Sequence, residues 1–402
     1  MAKSTREKNR VLIAGAGPVG MVAAAILTRR EIPVTLVESA PGLTYELRAS
    51  TFHPPTLDMM DEFGVTDRLI KSGLIAPTWQ IRDRAGGVVG TFDLSILKDD
   101  TAHPYRVQCE QWRLVHFLYD VIKDNPYLEI LFSHRAVSAE QDGNRALLTV
   151  ETPDGQRTLT GNFLIAADGA ASAIRKSLEI EFDGYTLPEM FLVVSTPFDF
   201  AAHFADLTYV TYFSDPVEWF FLLKTREFWR CMLPTPDGAS GEGLLDEENV
   251  QDRLNRIVPN DEPYQVVHRT LYRIHQRVAA TYRVGSIFLA GDSAHINNPL
   301  GGMGMNGGIH DAVNLAEKMV AVLRGAPDEL LDRYGRQRRN IALEYVQAQS
   351  VRNREILNAA DPKKRKKNLD QIRRTAENPE LAYPFLLRSS MITSLREAEK
   401  ME

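Results

Sequence analysis

The chain of 402 residues reads as an α/β protein: a parallel-sheet domain, an inserted mixed or antiparallel β-sheet, and a helical carboxy-terminal region. Three observations predict this. An apolar run leads through Gly15-x-Gly17-x-x-Gly20 into a helix-forming stretch. Aromatic and β-branched residues crowd the segment from Phe191 to Val267, as a sheet carrying a pocket requires. Helix formers dominate from Asn306 to about Leu323 and again from Asp328 onward.

Val11-Leu12-Ile13-Ala14 has the unbroken apolar character of a strand covered on both faces. In the turn that follows, Gly15 permits the tight bend, Gly17 lets backbone approach a pyrophosphate, and Gly20 allows the helix to pack close. The helix spans roughly Pro18 to Arg30, with Pro18 in the first turn, where its missing N–H is not needed. Its amino terminus offers free N–H groups and the positive end of the helix dipole to phosphate oxygens. A second strand, Val34-Thr35-Leu36-Val37, ends at Glu38, eighteen residues beyond Gly20. A carboxylate there accepts hydrogen bonds from both ribose hydroxyls and repels a 2′-phosphate, so this Rossmann-like unit reads as a site for FAD or NAD and not NADP. A secretory signal is the competing reading of Val11 to Leu27 after a basic start; the second strand and its acid argue against it.

Further along, Thr56–Phe63 reads as part of a helix, and Thr78 to Leu97 as short strands about a Gly86-Gly87 turn. Gln111 to Lys123 has Trp112, Val115, Leu118 and Val121 at roughly helical spacing. Strands return from Leu128 to Ala166, broken at Asp142-Gly143-Asn144 and Pro153-Asp154-Gly155. The basic run Lys363 to Lys367 reads as a solvated helix or loop face rather than a localisation tract. The expected division is a discontinuous FAD-binding domain (1–77, 101–180 and 281–330), a substrate-binding sheet domain (78–100 and 181–280) and a helical region (331–402).

Composition narrows the class. The chain is 44% hydrophobic and 25% charged, ordinary for a globular enzyme. A net charge of −6 argues against a nucleic-acid partner. No apolar stretch of spanning length is free of glycine and charge, so no membrane partner is expected. Cys109 and Cys231 are the only cysteines, which excludes a disulfide framework and points to the cytoplasm. The nine histidines show no paired ligand spacing, and no metal is expected.

Two more glycine segments complete the pattern: Ala167-Asp168-Gly169, and Gly291-Asp292 with a glycine-rich run to Gly308. Each is weak alone; in this order they suggest FAD bound along most of the chain. The blocks GAGPVG at 15–20, RASTFHPPTLD at 48–58, AADGAASAIR at 166–175 and FLAGDSAHINNPLGGMGMNGGIHDAVNL at 288–315 carry a resemblance. Over roughly residues 9 to 350 the chain resembles the single-component FAD-dependent aromatic hydroxylases, of the 4-hydroxybenzoate and phenol hydroxylase type. The stretch IHQRVAATYRVGSIFLAGDSAH with NPLGGMG is similar to para-nitrophenol-type monooxygenases.

The resemblance implies roles. Asp292 would bond a ribityl hydroxyl. Pro299, Gly301, Gly302, Gly304, Met305 and Asn306 would wrap the isoalloxazine ring, their N–H groups stabilising the reduced anion. Arg48 would meet the pyrophosphate side or the reducing cofactor, and Gln111, with Gln108 as the alternative, the adenosine and pyrophosphate portion. Asp168 would stand near the pyrophosphate. Arg175 reads equally as part of the NADH or NADPH route and as a surface ion pair, and His295 as a packed, hydrogen-bonded residue rather than a catalyst. No second nucleotide fingerprint appears, as expected where NADH or NADPH binds transiently; which of the two is left open.

The implied reaction is hydroxylation of a small phenol-like or hydroxypyridine-like aromatic by NAD(P)H and O₂ through a C4a-hydroperoxyflavin, with or without displacement of a ring substituent. The protein must exclude water and must deprotonate or polarise the ring hydroxyl. Candidate pocket residues are His53, Tyr212, Trp219, Phe221 and Arg230; His53, Tyr212 and Pro299 are the candidates nearest the chemistry. His53 titrates near neutrality when unperturbed and could relay the phenolic proton. Arg230 is read as pairing with a nearby acid in preference to a substrate carboxylate. Ser50 stands where phenol hydroxylases tend to carry aspartate, and no paired tyrosines of the 4-hydroxybenzoate type are evident, so the catalytic base stays open. Alternatives of the same fold are a flavin-dependent halogenase, whose Trp-x-Trp-x-Ile-Pro element is missing here, an epoxidase or reductase acting on lipid-like substrates, and a non-catalytic flavin scaffold. Homodimers are an expectation from the resemblance alone.

Overall fold

The computed structural model describes residues 9–402. Its first sheet runs in the order Arg283–Val284, Ile287–Leu289, Phe163–Ala166, Val11–Ala14, Val34–Val37, Leu128–Leu131. The last five strands are parallel. Val11–Ala14, Val34–Val37 and Phe163–Ala166 are buried at every position, which is why they read as unbroken apolar runs. The helix Pro18–Arg29 packs between the sheet and the helices Gln111–Ile122 and Met303–Leu323. Every residue from Gly20 to Thr28 is buried, so this helix needs no polar face. Thr28, its one buried hydroxyl, donates to Ala24 O at 2.7 Å.

Arg135–Asp142, Arg145–Thr152 and Gly155–Gly161 form a separate antiparallel sheet. Its two tight turns fall at the expected glycines, with Gly143 at φ 57° and Gly155 at φ 112°. A small sheet of Thr51–Phe52, Arg106–Gln108 and Leu74–Ala76 carries much of the site described below.

The largest sheet has eight strands in the order His295–Ile296, His268–Ala279, Phe182–Thr196, Trp229–Pro234, Phe220–Lys224, Val210–Ser214, Thr78–Asp83, Gly87–Asp93. Its pairs are antiparallel apart from Val210–Ser214 against Thr78–Asp83. Alternation along these strands sends Tyr212, Phe221 and Met232 to one face and Phe213, Phe220, Leu222 and Cys231 to the other. Both faces are buried, so apolar residues fill the strands without a polar alternate. The 191–267 stretch is not sheet throughout: Glu247–Asn255 is a helix whose Val250 and Leu254 cover the second face. The first face is covered by carboxy-terminal helices Ala348–Leu357, Pro362–Glu377 and Pro379–Ser389, through Ile356, Leu357, Ile372 and Leu386. The basic run lies on Pro362–Glu377 and is exposed except for Arg365, which turns inward to Asp83 and Ser214. Among the described residues no helix is long and apolar enough to cross a membrane.

Candidate active site

The three glycine segments meet at one junction. A Cβ on Gly15 would lie 2.4 Å from Ala167 O, and one on Gly20 would lie 1.9 Å from Gly15 O. A Cβ on Gly291 would lie 2.7 Å, and one on Gly308 2.8 Å, from the same Val19 methyl. Residues nearly 300 positions apart thus approach through space that no side chain could share. Gly17 is the exception: a Cβ there would meet nothing within 4 Å, leaving the open approach that a pyrophosphate needs.

Carboxylates surround this junction. Glu38 ties itself to the glycine turn, accepting from Ala16 N–H at 2.8 Å and from Ala40 N–H at 2.9 Å. Asp168 accepts from Ile174 N–H at 3.3 Å, while its Oδ1 is buried without a partner, and burial raises its pKa. Asp292 is open to solvent, and desolvation by the surrounding protein raises its pKa. An orphaned carboxylate oxygen, an open glycine, a ribose-type acid and a groove carboxylate are together the donors and acceptors that an FAD requires. The residues fit the cofactor.

The Gly291-Asp292 turn is held from below. Asp311, wholly buried, accepts from Gly291 N–H at 3.0 Å and contacts His295 Nε2 at 2.8 Å through one oxygen. Its other oxygen accepts from Arg338 Nε at 2.6 Å. Burial alone would raise its pKa, but Arg338 and His295 outweigh this and hold it at about 2. His295 is therefore a packed, hydrogen-bonded residue. Arg175 belongs to the same brace. It is buried and donates to Ser293 O and Ala170 O, each at 2.9 Å, so it is neither a surface ion pair nor a group open to a passing nicotinamide.

His53 caps the helix Pro54–Asp61 and is fully buried. Its N–H donates to Asn306 Oδ1 at 2.9 Å, and its Nε2 lies 2.8 Å from Gly301 O. A carbonyl only accepts, so Nε2 carries the proton. Burial, then the charge of Arg106, pushes the His53 pKa well below its ordinary value. Titration of His53 near neutrality is therefore not what this setting favours, and the geometry gives the imidazole the part of positioning Gly301. Asn306 completes the brace, donating to Thr51 O at 2.8 Å and Gly302 O at 2.7 Å. Gly301 and Gly302 adopt φ of 101° and 67°, conformations that favour glycine, immediately before the helix Met303–Leu323. Gly304 and Met305 lie half-buried in its first turn, and Pro299 O receives Gly302 N–H at 3.0 Å.

On the other side of Gly301 lies an apolar cavity bounded by Trp79, Ile81, Tyr212, Ile356, Ile372 and Phe385. One cation lines it. Arg106 is 2% exposed and sits 5.3 Å over the Trp79 ring; its Nε has no partner, and no carboxylate among the described residues shifts its pKa. Tyr212 stands beside it, its oxygen accepting Gly301 N–H at 3.2 Å. Burial raises the Tyr212 pKa, opposed by Arg106 and Gly301, so the phenol keeps its proton.

Of the expected pocket residues, Tyr212 alone lines this cavity. Phe221 packs beside it on the same face of the sheet with rings 5.4 Å apart, and Trp219 meets Phe191 edge-on at 5.5 Å. Arg230 meets neither an acid nor the cavity: it donates to Arg48 O at 2.6 Å, Ser50 Oγ at 3.0 Å and Leu47 O at 3.2 Å, fixing the loop that bears Arg48. The Arg48 side chain is exposed and paired with Glu46 at 2.6 Å. Gln111 accepts weakly from Ala49 N–H at 3.4 Å, whereas Gln108 is fully buried against the Thr51 hydroxyl at 2.9 Å. Trp79, Arg106 and the cavity-facing carboxy-terminal residues were not singled out from sequence. Arg106 lies in a three-residue strand too short for periodicity to flag, and the helices gave no sign of which side they cover.

The family described as an FAD binding domain matches residues 8–349. Para-nitrophenol 4-monooxygenase of Pseudomonas sp. (strain WBC-3) is 30% identical over 97% of this chain and 97% of its own. The 6-hydroxy-3-succinoylpyridine 3-monooxygenase HspB of Pseudomonas putida (strain DSM 28022 / S16) is 30% identical over 94% of this chain and 99% of its own. The crystal structure of p-nitrophenol 4-monooxygenase PnpA from Pseudomonas putida DLL-E4 superposes with a TM-score of 0.89 at 29% identity, covering 96% of this chain and 97% of that one. The chain belongs to this FAD-binding family, and it is a flavoprotein aromatic monooxygenase.

Proposed function

We propose that the protein hydroxylates a small phenol-like or hydroxypyridine-like ring held between Trp79, Tyr212 and Phe385, using NADH or NADPH and O₂. One oxygen atom enters the ring and the other leaves as water, with the two electrons coming from the nicotinamide. FAD at the glycine junction supplies the redox and oxygen chemistry. The side chains bind, orient and keep the site dry. Ile81, Ile356 and Ile372 exclude water from the reacting ring. Trp79 and Phe385 pack against each other, centroids 5.9 Å apart, and form an aromatic wall for it. Tyr212 and Arg106 are the polar contacts for a ring substituent, and neutral His53 holds Gly301 in place between cavity and cofactor.

A second observation supports the aromatic class: two relatives that span nearly the whole chain are named for a nitrophenol and a hydroxypyridine. Displacement of a ring substituent belongs to the proposal for a nitrophenol-like ligand. The observation that carries the reading is the largely apolar cavity against Gly301, with Arg106 and Tyr212 at one side and Gln349, Asn353 and Ser389 as its other polar groups. The test is substrate-stimulated NADH or NADPH oxidation by the FAD-loaded protein, with the oxygenated product identified by chromatography. Peroxide release without product, across a panel of phenols and hydroxypyridines, would refute it.

A further inference from the structure

No residue lining the cavity beside Gly301 is exposed, so a ligand enters either past the cofactor or through the wall. A second space lies against the outside of that wall, between the helices Ala348–Leu357 and Pro362–Glu377. Exposed Arg352, Glu355 and Gln371 and half-buried Asn368 form its mouth, and Ile356 and Ile372 form its floor. The same two isoleucines line the inner cavity, and no other residue borders both spaces. They are 9% and 4% exposed. A polar cleft and an apolar cavity are thus divided by two aliphatic side chains.

The helices that carry this pair are fastened to the sheet. Leu357 O accepts from Ser214 Oγ and from Asp215 N–H, each at 3.1 Å. Arg354 grips the buried Glu189 carboxylate through two nitrogens, at 2.5 and 2.9 Å. On the facing helix, Arg365 donates to Ser214 O at 2.9 Å and pairs with Asp83. Gly90 lets that helix settle close: a Cβ there would lie 2.9 Å from Ala376 Cβ and 3.3 Å from Ile372 Cγ2. Neither helix is free to swing, so the way between them widens by side-chain rotation. A β-branched residue in a helix keeps to one χ1 rotamer most of the time, so the neck is shut at rest and opens rarely. An aliphatic neck passes an apolar ring and disfavours hydrated ions, which suits the dry cavity behind it. We propose that Ile356 and Ile372 gate a port through which a single-ring aromatic ligand reaches and leaves the cavity. The proposal rests on the reading of that cavity as the substrate site, and it makes the two isoleucines determinants of which rings arrive.

The test places a removable plug in the mouth. Gln371→Cys in the FAD-loaded protein is capped with a bulky methanethiosulfonate reagent, which dithiothreitol later removes. Cys109 and Cys231 are fully buried and burial pushes both thiols up, so the introduced thiol is the one that reacts. Stopped-flow absorbance then gives association and dissociation rates for 4-nitrophenol. The plug obstructs the path and not the site, so it should slow both rates at least ~10-fold and leave Kd within about twofold. Dithiothreitol should restore both rates. A capped Lys367→Cys, exposed on the same helix but outside the cleft, should bind at the parent rates. Ile372→Ala should raise both rates, and more for the two-ring 2-naphthol than for 4-nitrophenol. Unchanged rates with the plug in place would overturn the port and send the ligand past the cofactor. A plug that shifts Kd through one rate alone acts on the cavity itself and overturns it too. Gated binding with no oxygenated product from any ring supports the port and falls on the proposed function instead.

Discussion

Two guanidiniums are buried almost equally in this protein, Arg338 at 1% and Arg106 at 2% exposed, and they are treated in opposite ways. Arg338 binds the Asp311 carboxylate at 2.6 Å and Gly307 O at 3.2 Å, inside a network that also fixes Gly291 and His295. Arg106 has an aromatic ring, a phenol and no carboxylate. A buried charge that meets a carboxylate, even with its Nη1 left without a partner, tells of a scaffold that must not move, here the turn carrying Asp292. A buried charge left unpaired tells of a place where the counter-charge comes from outside. On the reading proposed above, the difference separates the braced cofactor turn from the substrate cavity.

The sharpest way to break the comparison is to unpair Arg338. Asp311→Asn leaves a buried guanidinium uncompensated, and such a loss costs on the order of 3–5 kcal/mol. A clearly lower thermal midpoint and weaker FAD retention are expected. Arg338→Met combined with Asp311→Leu should cost less than the two single substitutions summed, because the residues act as a unit. At Arg106 the sign should reverse: Arg106→Met removes an uncompensated charge and should leave the thermal midpoint of the ligand-free protein unchanged or higher. Equal destabilisation at both arginines would dissolve the distinction.

A smaller effect separates two glycines of one turn. Gly20→Ala drives a methyl to 1.9 Å from Gly15 O, so the helix and turn must part. Gly17→Ala meets nothing within 4 Å and sits at an ordinary φ of −71°. It should fold normally and lose FAD affinity by on the order of tenfold or more, since its methyl stands where the cofactor's pyrophosphate approaches. Equilibrium dialysis for FAD alongside thermal unfolding reads both. A Gly17→Ala protein with undiminished FAD affinity would show that the pyrophosphate does not pass there.

The contrast also explains what could be read from the chain. Gly15, Gly17, Gly20, Glu38, Asp168 and Asp292 are legible because backbone geometry around a pyrophosphate admits few residue types at fixed spacing. The strands Val11–Ala14 and Val34–Val37 announced themselves because burial on both faces removes every polar position. Arg106 announced nothing, since a lone arginine in a short strand looks like any surface cation until the fold buries it. Trp219, Phe221 and Arg230 were drawn into the pocket by residue type. Packing decides otherwise: Phe221 sits beside Tyr212 on the same face of the sheet but outside the cavity lining, and Arg230 turns onto the carbonyls of Leu47 and Arg48. The expectation that His53 titrates near neutrality fails on burial: an imidazole's unperturbed pKa is a property of water, and this ring is enclosed by protein.

Buried histidines provide the last and mildest probe, silent at neutral pH. His310 bonds the Thr56 hydroxyl at 2.9 Å within the core, and burial, then Arg338, lowers its pKa to about 3. Its unfolded value is the ordinary 6.5. Between those two values the unfolded chain holds a proton that the folded chain refuses, so stability falls as pH drops through 6.5 toward 3. Asp311 works in a lower window. Its pKa of about 2 lies beneath the ordinary 3.8, so its stabilising contribution is complete above 3.8 and is lost as pH falls toward 2. His310→Gln can keep the bond to Thr56 but cannot titrate, so it should flatten the upper limb of the stability profile and leave the lower limb alone. Urea unfolding from about pH 7 to about pH 4.5 covers the upper limb. Parallel profiles for parent and variant would mean that His310 contributes nothing to it, leaving His53, whose pKa is also depressed, as the group that makes this core sensitive to mild acid.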